Sequence, residues 1–409
     1  MFVRLALASL RSRMGSVLLT FLAITVSVFV LLGVEQIRHQ SKSSFSNTVS
    51  GIDLIVGART GDINLLLYSV FRLGNATNNI SWQSYQDFAA NPNVAWTIPI
   101  ALGDSHKGFR VMGTTADYFT HFRFGQNRPL ALARGTPFAQ LYDVVLGSEV
   151  AKSLGYELGD KLVLAHGLGS TSFSLHKDKP FQVVGVLQAT GTPVDQTLHV
   201  SLEAIEAIHL GWQNGVNVPG AARVGPSEKD LTPETITAFM VGLKSKLAIF
   251  RLQRAINTYP DEPLQAILPG VTLTQLWQMM AAMENTLRLI AALVLLASLL
   301  GLAAMLLASI KERQGEIAVM RAIGAPPRFI FALIQAEALL ITLGSIVVAN
   351  LLLALGIAVA GNFLAERYSL FIDSHLLTPQ LAVQMGGILV SAWIVSVVPG
   401  VSAYRRALS

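Results

Sequence analysis

Four long apolar runs decide what this chain can fold into. The first is "VLLTFLAITVSVFVLLGV", residues 17–34. In the second, no charge falls between Leu289 and Ile310. The third starts at Phe329 and continues to about Ala360, interrupted by Gln335, Glu337 and Asn350, and the fourth covers Leu381–Tyr404. About 20 apolar residues suffice for a helix to cross a bilayer, and a soluble core has no room for four such helices side by side. The stretch 35–285, between the first and second runs, has an ordinary soluble composition. Overall the chain is 52% hydrophobic and 13% charged, against about a quarter charged in a typical soluble protein. The expected class is an α-helical membrane protein with four transmembrane helices and one large extracytoplasmic mixed α/β domain inserted between helices 1 and 2.

Arg4, Arg11 and Arg13 precede the first run. A basic start before an apolar run also describes a cleaved signal peptide, but Glu35-Gln36-Ile37-Arg38 follows where a small-residue cleavage site would stand. The first run therefore reads as an uncleaved anchor. The third run is too long for one upright helix: roughly 32 residues reach about 48 Å against a hydrocarbon core of about 30 Å. It either tilts and protrudes or forms two spans. Lys311, Arg313, Arg321 and Arg328 fall between the second and third runs, and Arg405 and Arg406 close the fourth. The positive-inside rule places these segments and the N-terminus in the cytoplasm, which requires an even number of spans. The expected order is a basic N-terminal segment (1–16), a first span (17–34), an outer domain with helical stalk ends (35–285), a second span (286–310), a cytoplasmic helix (311–328), a third span (329–360), a short outer loop (361–379), a fourth span (380–404) and a cytoplasmic tail (405–409).

The outer domain reads as mixed α/β. Ser81 and Ser201 stand as N-caps before helical stretches, and Ser148 is read as a third, its helix stopping at Gly155. Segments 160–167, 181–187 and 237–243 read as strands, 246–257 as a helix and 214–233 as a Gly/Pro loop. From Thr272 a helix runs directly into the second span, its stalk carrying Leu276, Met279, Met280 and Met283.

Catalytic signatures are missing. No cysteine is present, which excludes disulfides, thiolate zinc sites and thiol catalysis. "GDSHKGFR" (103–110) lacks the Lys-Ser/Thr pair of a P-loop. Eight histidines are scattered with no pair at ligand spacing on a helix, so most of them read as surface residues and no metal is assigned. The net charge of +5 comes without a polybasic run, and no nucleic-acid partner is expected.

The remaining feature is "KERQGEIAVMRAIGAPP", residues 311–327, a charged segment set between two apolar runs. Propensity predicts a helix over Glu312–Ile323, ended by Gly324, with Pro326-Pro327 opening the next one. Arg313, Gln314, Ile317 and Arg321 share one face at 100° per residue. Ala318, Val319, Ala322 and Ile323 share the other, as in a helix lying flat on the membrane with its basic front toward headgroups or a protein. An interfacial linker helix is the plainer reading of the same pattern.

"ERQGEIAVMRAIGA", followed by "FALIQAEALLITLGS" with its early glutamate, resembles the signature of FtsX/MacB-type ABC transporter permeases, which include the lipoprotein-releasing permeases. The order of one span, a large outer domain and three further spans is similar, and "VVLGSEVAKSLGYELGDKLVL…FQVVGVL" resembles the outer-domain core. The resemblance implies that 311–327 is a coupling helix docking a separate cytoplasmic ABC ATPase dimer, through Arg313, Glu316, Ile317, Met320, Arg321, Gly324 and Ala325. It also implies a second permease copy or a related chain, and a periplasmic adaptor or lipoprotein beside membrane lipids. No cofactor is expected on the chain itself; ATP and Mg²⁺ belong to the partner. Glu337 reads either as an ion-pair anchor between spans or as a side chain snorkelling to the membrane edge. Ala297 and Gly301 offer a small-residue packing face on the second span. Two functions fit. One is a mechanotransmitter that extracts or exports a lipidated protein, an amphipathic lipid or a peptide. The other is a non-transporting regulator of an extracytoplasmic enzyme such as a cell-wall hydrolase.

Overall fold

The computed structural model describes residues 6, 9–11, 13–46, 48, 50–167, 179–210, 212, 213, 216, 217, 231–368 and 379–408. Most of the Gly/Pro loop 214–233 and residues 369–378 of the expected short loop lie outside these residues, as do His176 and His375. The chain forms two compact units. A helical unit comprises Met1–Gln40, Met280–Phe363 and Ile372–Ser409, and an α/β unit comprises Ser41–Met279 and Leu364–Phe371.

The α/β unit is built on one eleven-stranded sheet. Its strands are β1 (Leu54–Ala58), β2 (Val94–His106), β3 (Phe109–Thr114), β4 (Leu132–Gly135), β5 (Asp143–Leu146), β6 (Lys161–Leu162), β7 (Ala165–His166), β8 (Phe181–Leu187), β9 (Thr197–Ser201), β10 (Ala238–Leu243) and β11 (Leu264–Ile267). The order is β11-β1-β10-β2-β3-β9-β5-β8-β4, with β7 on β2 and β6 on β8. The β9–β3 and β8–β5 pairs are parallel, and all other pairs in this sheet are antiparallel. Strands β1 and β5 are buried at every position, as central strands covered on both faces should be. The segment 160–167, read as one strand, is two: β6 and β7 leave the same segment to pair with different neighbours.

Helix α1 (Met14–Ser46) precedes this unit's sheet in sequence. Within the unit lie α2 (Asp62–Ser69), α3 (Trp82–Ala89), α4 (Asp117–His121), α5 (Ser148–Leu154), α6 (Leu202–His209) and α7 (Ile249–Asn257). Ser81 caps α3 by accepting from Ser84 N–H, and Ser201 caps α6 by accepting from Ala204 N–H. Ser148 does not cap α5. The cap position is Gly147, where a Cβ would stand 2.4 Å from the Asp195 carbonyl oxygen, so backbone crowding selects the glycine.

Among the described residues, four helices are long and apolar enough to cross a membrane: Met14–Arg38 within α1, Pro269–Glu312 (α8), Pro327–Val359 and Leu381–Arg405. Helix α9 (Gln314–Ala322) follows α8, then come α10 (Pro327–Tyr368) and α11 (Pro379–Leu408). The third apolar run is thus one unbroken helix of 42 residues, about 63 Å long. It continues through 361–368, where the sequence predicts a loop. The helices meet along Ile24, Val28, Leu32, Leu299, Leu302, Leu306, Ile334, Ala338 and Ile388. Leu18, Leu19, Leu293, Leu300, Leu351 and Leu355 point away from this core, as lipid-facing residues do. Thr20, Thr25, Thr342 and Ser391 return their hydroxyls to carbonyls four residues earlier, which keeps polar groups satisfied inside apolar helices.

Candidate coupling site

The short helix α9 has Arg313 at its N-cap, and the Arg313 side chain turns back toward the spans. Its Nε donates to Glu316 Oε2 at 2.6 Å, and its Nη1 donates to Glu337 Oε1 at 3.0 Å and to Ser9 Oγ at 2.5 Å. Glu337, on α10, is 1% exposed. The Ser9 hydroxyl donates to it as well, and Arg13 Nη2 stands 3.8 Å from its other oxygen. One buried carboxylate therefore gathers two guanidiniums from two separate stretches of chain. Glu337 is held by partners within the chain. A charge at such depth is stable only when paired and hydrogen-bonded, and losing one partner leaves the others stranded.

The far end of α9 is fixed by backbone geometry. Gly324 takes a φ of 95°, in the left-handed region. Its N–H reaches the Arg321 carbonyl, and Ala325 N–H reaches that of Met320, a glycine-based helix stop. Pro327 then opens α10.

The faces of α9 differ from the periodicity reading. Ile317, placed on the outward basic front, packs instead on the core of the spans, and Arg313 is 13% exposed at its side chain. Arg313 is thus a clamp on Glu337 and not part of an open docking face. Val319 and Ile323, placed on a membrane-facing back, are 63% and 79% exposed. Arg321, Glu316 and Gly324 are exposed, while Met320 and Ala325 are half-buried. The reason is electrostatic: the pull of Glu337 on Arg313 fixes the helix's rotation, and hydrophobic periodicity does not register that partner. Ala297 and Gly301 are also exposed, and a Cβ at Gly301 would meet nothing within 4 Å. They do not pack within this chain; the buried face of α8 is Leu295, Leu299, Leu302 and Leu306.

Helices α1 and α8 are joined by polar contacts. Ser27 Oγ and Ser298 Oγ lie 2.6 Å apart. Nearer the ends of the spans, Arg38 pairs with Glu284 at 2.7 Å and with Glu35 at 2.8 Å, and Arg288 pairs with Glu35 at 3.2 Å. The Glu35–Arg38 stretch is therefore half of an ion-pair ladder. Helix α8 itself is continuous from Pro269 to Glu312. Leu273, in its first turns, packs on the core of the α/β unit.

The α/β unit holds a second cluster that the sequence did not disclose. Asp104 on β2, His166 on β7 and His209 at the end of α6 place their ligand-capable atoms within 4.8 Å of one another. Burial alone would raise the Asp104 carboxyl, but hydrogen bonds from His166 and His209 outweigh it and hold the group down at about 2. His166 is raised by its bond to Asp104. Two other histidines taken as surface residues are buried. His106 bonds Val163 and Tyr156, and His199 bonds the Val145 carbonyl.

Four helices of spanning length and an α/β unit of this build define a multi-pass membrane protein with a large domain outside the bilayer. Family comparison then places it. The MacB-like periplasmic core domain matches residues 17–259, and the FtsX-like permease C-terminal domain matches 288–409. The chain belongs to the FtsX/MacB-type permeases, transmembrane components of ABC transporters. No curated protein matches it. Among solved structures it is similar to the periplasmic region of MacB from Actinobacillus actinomycetemcomitans, at 13% identity, 55% of this chain, 94% of that one and a TM-score of 0.35. It is also similar to the extracellular domain of the noncanonic ABC-type transporter YknZ from Gram-positive bacteria, at 12% identity, 53% of this chain, 98% of that one and a TM-score of 0.31.

Proposed function

We propose that this chain couples ATP hydrolysis in a separate cytoplasmic ABC ATPase to movement of its α/β unit, and so acts on a lipidated protein, a lipid-like molecule or a peptide at the outer side of a bacterial inner membrane. The N- and C-termini and α9 lie on the cytoplasmic side in this reading. Docking falls to the exposed part of α9 and its C-terminal stop: Arg321, Glu316 and Gly324, with Val319 and Ile323 as the apolar contacts.

The observation that carries the reading is the Arg13–Arg313–Glu337 cluster, which fastens the loop helix to the spans through buried charge. A push on α9 is then passed into α10 and α1 instead of being absorbed by a loose loop. Helix α8 supplies the path outward, since its first turns belong to the α/β unit and the rest to the helical unit. The test is reconstitution with the ATPase that copurifies with the chain. Arg321→Glu should abolish cargo-stimulated hydrolysis while the complex still forms its membrane fold. Unchanged stimulation would remove the docking role. Copurification of a hydrolase without lipid or lipoprotein cargo would turn the reading toward regulation of that enzyme.

A further inference from the structure

The geometry points to a binding site for a divalent transition-metal ion of the zinc class in the α/β unit, formed by Asp104, His166 and His209; this inference is independent of the coupling mechanism. Three separate elements build it. Asp104 and His166 are paired opposite each other in the β2–β7 register. Helix α6 delivers His209 from the end of the segment that follows β9.

The donor set and spacing suit such an ion. Two imidazoles and a carboxylate, with no thiolate, are ligands that zinc, cobalt, nickel and copper accept. His166 Nδ1 lies 3.1 Å and His209 Nε2 3.5 Å from Asp104 Oδ1. Bonds of about 2.0–2.1 Å in a tetrahedral arrangement separate neighbouring ligand atoms by about 3.3 Å, so both edges stand close to the needed length. The imidazoles stack with centroids 4.5 Å apart and planes 14° apart. Sharing one ion therefore requires one ring to turn about its Cβ–Cγ bond. Both side chains are 31% exposed.

Two further observations mark the place as built. The β2–β3 register shifts by one residue between Leu102 and Ser105, a bulge that falls on Gly103 and Asp104. Bulges re-aim a side chain out of the regular alternation, and here the re-aimed residue is the carboxylate. Asp104 is also only 2% exposed at its side chain. A buried carboxylate calls for a cation beside it, and an ion shared with the two imidazoles supplies one. Gly103 and Gly167, the neighbours of two ligands, line a cavity of about 310 Å³, which brings solvent within one residue of the site. A bound ion would fasten the two-residue strand β7 and the end of α6 to β2.

The test uses the full chain in detergent, carrying a non-histidine affinity tag, stripped by EDTA and titrated with Co²⁺. One Co²⁺ per chain should bind with the visible band of a four-coordinate ion, be displaced by Zn²⁺, and raise the melting temperature. His166→Gln and His209→Gln should each weaken binding at least about 100-fold, beyond the loss seen for outer-shell changes, while the metal-free melting temperature is kept. Asp104→Asn should do the same where it folds. Co²⁺ uptake that is absent in the parent chain, or equally tight in both histidine variants, would overturn the site.

Discussion

At the residue scale, Glu337 carries the most consequence. Replacing it by alanine leaves two guanidiniums in a largely dry place without their carboxylate, and breaking a buried pair in this way costs about 3–5 kcal/mol. Glu337→Ala should therefore lower the thermal stability of the detergent-solubilised chain markedly. Glu337→Gln, which keeps an acceptor for Ser9 and Arg313, should lose less; full stability in Glu337→Gln would mean that the charge does not matter. His199 gives a pH signature in the α/β unit. Burial, aided by the charge of Arg72, pushes its imidazole down to about 3, whereas in an unfolded chain it titrates near 6.5. The folded form thus holds it neutral, and its contribution to stability is whole above about 6.5 and is lost as pH falls toward 3. The slope is at most about 1.4 kcal/mol per pH unit. Chemical unfolding of the α/β unit followed by tryptophan fluorescence should show this slope flattened in His199→Phe, whose ring keeps the stack on Tyr118.

At the element scale, contact between helices decides which substitutions matter. A Cβ on Gly400 would stand 2.8 Å from the Phe331 ring, next to Pro399 inside α11. Gly400→Val should cost about 1–3 kcal/mol as an overpacked α10–α11 contact. Gly301→Ala on α8 should leave the melting temperature of the isolated chain unchanged or higher, because nothing stands near it. These two glycines also show what was legible beforehand. Spanning runs, the Ser81 and Ser201 caps and the Gly324 stop are local signals, written in a few adjacent residues. The rotation of α9, the ladder of Glu35, Arg38, Glu284 and Arg288, and the pairing of Asp104 with His166 depend on partners far away in sequence. Periodicity placed Ile317 outward because it weighs only neighbours on the same helix. The histidines looked scattered because strand register, not spacing along one helix, brings them together.

At the scale of the whole molecule, the proposal is that a cytoplasmic stroke on α9 is relayed through charge-locked spans and the unbroken α8 to the α/β unit. The chain has no native cysteine, so one introduced at Leu247, 95% exposed in the α/β unit, takes a single donor fluorophore. The most direct measurement is energy transfer from that donor to acceptor lipids, with the chain and its copurifying ATPase in nanodiscs, before and after ATP. Transfer should change with ATP in the otherwise unaltered chain. It should stay constant when Arg321→Glu is added, or when a Gly-Pro pair inserted between Met279 and Met280 breaks α8. An ATP-dependent change that persists through both alterations would contradict the relay.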